Sequence, residues 1–153
     1  SGDPVAIATG NDGQVLTSAG AGAPPAFEAV AAGGNTFMWA TTKNMADSTG
    51  TTIALTGAGF TPKMVVCFAN ENNTDRSSIG MQDDGASLQY CLAQVGGSTY
   101  AKVLYVFLAQ VIPSPGKDAK FAVTTWGADG ITITYTKGGV PTGTARLLIV
   151  AVG

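Results

Sequence analysis

The 153-residue chain contains no histidine. Its absence removes the commonest general base and the Ser-His-Asp arrangement of nucleophilic hydrolases. Cysteine is nearly absent as well, with only Cys67 and Cys91. Neither belongs to a CxxC pair, so a zinc site or thiol nucleophile has little to build on. Each cysteine lies in an apolar or alternating segment, KMVVCFAN or SLQYCLAQ. That setting predicts two buried thiols, with a disulfide between neighbouring strands as the alternative. Charge is scarce too: charged residues make up 12%, with eight basic and ten acidic groups giving a net charge of −2. Without a basic tract there is nothing to neutralise nucleic-acid phosphates or to hold an anionic membrane surface. No apolar run approaches the roughly 20 residues of a membrane span.

What the chain does have is apolar residues, 45% of the total, and 21 glycines. Its length suits one ordinary domain. Residues 1–34 are rich in Gly, Ala and Pro and read as an extended N-terminal arm. Within them Asn11-Asp12-Gly13 is a turn signal, Gln14–Thr17 a short strand, and Pro24-Pro25 opposes helix. From Asn35 the composition turns to β structure, and residues 35–153 read as one β domain. Strands are predicted at Thr36–Thr41, Thr51–Thr56, Lys63–Ala69, Ser77–Gln82, Ser87–Gln94, Val103–Ile112, Ala119–Trp126, Ile131–Thr136 and Thr144–Val152. Gly, Pro, Asn and Asp separate them. Pro113 and Pro115 are expected to close the sixth of these. Strict alternation in KFAVTTWG puts Phe121, Val123 and Thr125 on one face and Ala122, Thr124 and Trp126 on the other. The fold class is all-β, an antiparallel β-sandwich of jelly-roll-like or immunoglobulin-like order.

Few residues offer chemistry. Asp83-Asp84 reads as a turn, not as the two separated carboxylates of a glycosidase. Glu71, Asp75, Asp83 and Asp84 would suit a weak Ca²⁺ site only if their two loops met at one end of the sandwich. The glycine clusters lack the Lys-Ser/Thr and the strand–helix setting of a phosphate loop. No catalytic residue and no cofactor is expected, and the chain reads as a non-enzyme. The polar loops ENNTDRSS and WGADG form a candidate receptor- or glycan-contacting surface through Asn72, Asn73, Asp75, Arg76 and Trp126.

The segment GNDGQVLTSAGAGAPPAF resembles one recurrent in bacteriophage tail-fibre and other virion proteins. The matching residues are Gly13 to Ser18, Gly20 to Ala23 and Pro25 to Phe27; such segments often end in Trp where this chain has Phe27. The stretch Gly59-Phe60-Thr61-Pro62-Lys63, the segment Ser78-Ile79-Gly80, WGADGITI and the closing TGTARLLIVAVG are similar to small phage structural domains. The resemblance implies a virion protein, either a tail-fibre or appendage component or a capsid decoration protein. It also implies a homo-oligomer, a trimer above all, with other virion proteins as partners. The alternative is a receptor- or carbohydrate-binding module recognising a host surface glycan. On either reading the arm is expected to attach through Val5, Ile7, Val15, Leu16 and Phe27, since extended arms can add strands to open sheet edges.

Overall fold

A computed structural model describes residues 9–11, 14–18, 21, 24–29, 34–72, 74, 76–85, 88–95, 99–101 and 107–153. The chain divides into two compact units, Ser1–Gly34 and Asn35–Gly153. In the first unit, β1 (Gln14–Thr17) pairs antiparallel with β2 (Ala26–Ala29), Leu16 opposite Phe27 and Val15 opposite Glu28. The segment therefore folds back on itself instead of running as a single extended strand. Asn11 and Gln14 close the turn before β1: the Gln14 N–H donates to the Asn11 carbonyl, and the Asn11 N–H to Gln14 Oε1 at 2.7 Å.

The second unit is all-β and almost wholly antiparallel. Its strands are β3 (Thr36–Asn44), β4 (Thr52–Leu55), β5 (Met64–Glu71), β6 (Ser77–Asp83), β7 (Gln89–Val95), β8 (Thr99–Ala101), β9 (Ala109–Ser114), β10 (Lys117–Gly127), β11 (Gly130–Gly138) and β12 (Thr144–Val152). They pair in the order β3-β12-β5-β6-β7-β9-β10-β11-β4, with β8 on the flank of β7. The β7–β9 link is one parallel pair, Val95 with Ile112. It separates a first sheet, β3-β12-β5-β6-β7-β8, from a second, β9-β10-β11-β4. β12 lies between β3 and β5, hydrogen-bonded on both sides.

One face of each sheet supplies the core. From the first come Val65, Cys67, Ala69, Leu147 and Ile149; from the second come Val111, Phe121, Val123, Ile133 and Tyr135, all in one buried cluster. The period-2 alternation explains the choice, because every second residue of a strand points to the same side. Polar side chains then tie the sheets together. The Trp39 indole N–H donates to the Thr56 carbonyl at 2.8 Å, and the Tyr135 hydroxyl to the Met45 carbonyl at 2.7 Å. Gln82, nearly inaccessible at 1% exposure, donates from Nε2 to the Val123 carbonyl at 2.7 Å and accepts the Val123 N–H at 2.8 Å. β9 pairs β10 only as far as Phe121. The Gln82 amide thus takes the place of a strand partner for Val123 and keeps two buried backbone groups satisfied.

One local feature departs from the sequence reading. Pro113 lies buried inside β9 and does not end it. The pairing with β10 skips register between Lys117 and Ala119, so Ile112 and Pro113 together oppose one residue. A bulge is where a strand tolerates a residue without an N–H. The turn comes at Pro115-Gly116, where Gly116 has φ of 74°, the Pro-Gly combination of a type II turn. Of the predicted sixth strand, residues 103–106 lie outside the described residues.

Candidate functional site: an apolar outer sheet face

The first sheet has a second face, and it is apolar as well. Across β3, β12, β5, β6 and β7 the register aligns Ala40, Leu148, Phe68, Ile79 and Leu92 in one row. The adjacent row is Met38, Val150, Val66, Met81 and Tyr90. These side chains alternate with the buried ones and point away from the core. Met38 is 61% exposed, Phe68 46%, and Ile79, Tyr90 and Leu92 between 43% and 47%. A groove of about 710 Å³ crosses this face, with Phe68, Ile79, Leu92 and Leu148 as its apolar wall. Its polar edge is the next row, Arg146, Asn70, Ser77 and Gln94. Isolated exposed apolar residues are ordinary; two contiguous rows five strands wide are not. The almost continuously apolar runs MVVCFA and RLLIVAVG give β5 and β12 apolar side chains on both faces, and one of those faces is exposed.

The other candidates are placed as follows. Val15, Leu16 and Phe27 are exposed on the β1–β2 pair, and Gly10 sits so close to the Phe27 ring that any side chain there would collide with it. Val5 and Ile7 lie outside the described residues, as do Asn73 and Asp75. Arg76 donates from Nη1 to Glu71 Oε2 at 2.7 Å, a part-buried pair that closes the β5–β6 loop. Asn72 belongs to the same loop, its N–H donating to the Thr144 carbonyl.

Trp126 sits elsewhere. The strict alternation predicted from KFAVTTWG sets it opposite Phe121 and Val123, and the structure corrects this. The β10–β11 register slips between Val123 and Thr125, so Thr124 is the extra residue and Trp126 pairs with Ile131. The bulge reverses parity, and Trp126 packs against the core cluster. Arg76 and Trp126 are also far apart. The loop between β3 and β4 meets the Lys137 end of β11, through the Lys137 ammonium donating to the Ala46 carbonyl. The same loop meets the Glu71 end through the Met45 N–H to the Gly143 carbonyl, with Gly143 beside Glu71. Trp126 and its turn lie at the other end of β11, about 20 Å away along the strand. The two polar loops therefore form no common surface.

The carboxylates do not converge either. Met64 pairs with Asp83 and Asn70 with Ser77, so Glu71 and Asp83 lie at opposite ends of the β5–β6 ladder. Asp84 pairs with Lys63 at 3.0 Å, and no metal-binding group of His, Cys, Asp or Glu occurs among the described residues. The cysteines are separated: Cys67 opposes Gly80, and Gly80 opposes Cys91, so β6 runs between them. Two strand spacings, roughly 9.6 Å, exceed the reach of a disulfide, and both thiols are free and buried. Burial pushes both thiols up from their ordinary range. The acid with the clearest task is Asp129, in the turn between β10 and β11. Its Oδ1 accepts the Gly59 N–H at 2.7 Å and its Oδ2 the Gly57 N–H at 2.9 Å. These bonds hold the carboxyl below its usual range.

Comparison with known proteins returns no match for this chain, whether with family models, with curated proteins or with solved structures.

Proposed function

We propose that this chain is a non-enzymatic bacteriophage virion structural protein, a fibre, appendage or capsid-decoration component that works by packing against copies of itself and attaching to the particle. The observation that carries this reading is the open apolar face of the first sheet. A face of this size gains by being covered, and low overall charge puts little repulsion between identical copies. The resemblance of GNDGQVLTSAGAGAPPAF to virion segments supplies the setting. The architecture is proposed as a β-sandwich, the two sheets sharing the core and the first presenting its outer face. The exposed Val15, Leu16 and Phe27 suit the arm's role in attachment. The receptor-binding alternative gains no support, because Arg76 is engaged by Glu71 and Trp126 belongs with the core.

Cryo-electron microscopy of intact parent particles tests the proposal. Density fitting the Asn35–Gly153 unit, in symmetric copies on capsid, tail or fibre, is the expected result. Particles that contain no such density in any symmetric arrangement overturn it.

A further inference from the structure

The first sheet ends in a strand with one open side. β3 pairs with β12 along its whole length and has no second neighbour among the described residues. The bonds at the two ends of that ladder fix which way its backbone groups point. The Gly153 N–H donates to the Asn35 carbonyl and the Met45 N–H to the Gly143 carbonyl, so the hydrogen-bonded pairs fall on the odd-numbered residues of this strand. Phe37, Trp39, Thr41 and Lys43 therefore turn their N–H and C=O groups to β12. Thr36, Met38, Ala40, Thr42 and Asn44 turn theirs to the open side, and all five residues are exposed. The Asn44 carbonyl takes the Asp47 N–H at 3.3 Å, whereas the outward groups of the other four have no partner among the described residues.

Strand edges are ordinarily blunted by shortness, proline, a bulge or a projecting lysine. β4 and β8, which also end the pairing order, are four and three residues long. β3 has nine residues, no proline or glycine, and unbroken register with β12. Its lysine does not project: the Lys43 ammonium pairs with Asp47 at 2.7 Å and lies over the Tyr135 ring. Such an edge fits an extended strand, and an antiparallel copy of β3 matches it. Setting Thr36 opposite Thr42 and Met38 opposite Ala40 of the copy, and reciprocally, uses all four outward residues and leaves the Asn44 carbonyl to Asp47. Each of these pairs exchanges two bonds, roughly eight in all, near the ten or so of a typical interface. Threonine meets threonine, a favourable cross-strand pair, and the long Met38 side chain lies beside the small Ala40. The row Ala40, Leu148, Phe68, Ile79 and Leu92 then runs on into the copy's row that begins at Met38, apolar into apolar.

From this pattern we infer that β3 is a self-association edge, to which a second copy of this chain adds its own β3 antiparallel. The two-fold axis stands perpendicular to the sheet just outside Trp39, so the copies lie side by side and their first sheets join edge to edge. The contact is isologous, each interaction occurs twice, and the assembly closes at two. It is distinct from the trimer implied by the resemblance. It leaves the apolar outer face uncovered and makes it continuous across both copies. The inference deepens the structural reading above by naming a surface through which copies meet, and in that respect it rests on that reading.

Sedimentation equilibrium and cross-linking of the full chain test this. The wild type is expected at twice 15.4 kDa at concentrations on the order of 100 μM. Ala40→Pro removes one outward N–H and puts a ring into the join, while every bond to β12 is kept. It is expected to weaken dimerisation at least about tenfold with an unchanged circular dichroism spectrum. Cross-linking gives a second measurement that does not depend on the proline variant folding. In the joined sheets the two Ala40 Cα atoms lie about 8 Å apart, so a short bis-maleimide should link Ala40→Cys chains to one another through residue 40. Leu92→Cys, four strands away on the same face, should stay unlinked, because its two copies lie about 40 Å apart. Cys67 and Cys91 are buried and do not compete for the reagent. A wild type that stays monomeric to about 1 mM overturns the inference, as does a dimer indifferent to a folded Ala40→Pro. A dimer that links through Leu92→Cys, or fails to link through Ala40→Cys, overturns it too. The particle density decides the underlying structural reading independently of all these outcomes.

Discussion

Asp129 shows how one side chain organises a sheet end. Its carboxylate takes two backbone N–H groups from the Gly57–Gly59 segment, and the Ala58 N–H donates to the Asp129 backbone carbonyl at 3.0 Å. The bonds favour the ionised form, so the folded pKa lies below the unfolded one. Their contribution is complete above the ordinary carboxylate range and is lost as pH falls through the folded value. Asp129→Asn should lower the melting temperature by a few degrees at pH 7, with the gap to wild type narrowing from about pH 4 downward. A gap that stays constant between pH 7 and pH 2 contradicts this account. Cys67 and Cys91 make the opposite case, two groups with no solvent and no partner sulfur. Native protein at pH 8 should leave both unreactive towards a thiol-specific disulfide reagent, and urea should release two thiols per chain. Any covalent link between them would show as a mass deficit in the intact chain.

At the scale of the element, β6 is held by what it lacks as much as by what it carries. Gly80 faces the core where a Cβ would meet the Leu108 and Tyr90 carbonyl oxygens, both rigid backbone. Gly80→Ala therefore has no small adjustment to make, and it should cost more than about 3 kcal/mol or prevent folding. Two residues on, Gln82→Ala leaves both Val123 backbone groups unpaired in a dry interior. The loss should be about 2–4 kcal/mol in urea unfolding, while a surface change such as Ser77→Ala stays within about 0.5 kcal/mol.

The elements also show what the sequence reveals and what it hides. Alternation located β11 and β12 well because it belongs to each strand separately: ITITYT keeps Ile131, Ile133 and Tyr135 on the buried face throughout. The β10 bulge at Thr124 is different. It is fixed by pairing with β11 and leaves no mark on KFAVTTWG, so parity reasoning puts Trp126 on the wrong side. The position of Pro113 inside β9 has the same origin in the partner strand. The open face is likewise a property of neighbours, since continuous apolarity in MVVCFA says that both sides are apolar and does not say which neighbour covers them. Distances between loops, such as Arg76 from Trp126, depend on strand order, which local patterns do not contain.

On the scale of the whole molecule, the two units differ in what holds them. Among the described residues, every member of the buried cluster lies between Trp39 and Ala151, within the second unit. The first unit offers a two-stranded ladder with exposed Val15, Leu16 and Phe27, and a lone two-stranded hairpin is marginal in water. Charge divides along the same line. Residues 1–34 contain Asp3, Asp12 and Glu28 and no basic residue, a net charge of −3, whereas 35–153 hold all eight basic and seven acidic residues, net +1. Stability should therefore belong to the second unit and attachment to the first. A chain beginning at Asn35 is expected to unfold in urea with a midpoint within about 0.3 M of the full chain. The same deletion should sharply reduce incorporation into particles, scored by mass spectrometry of purified virions. A lowered urea midpoint would mean that the first unit supports the fold, and undiminished incorporation would move attachment to the sheet domain.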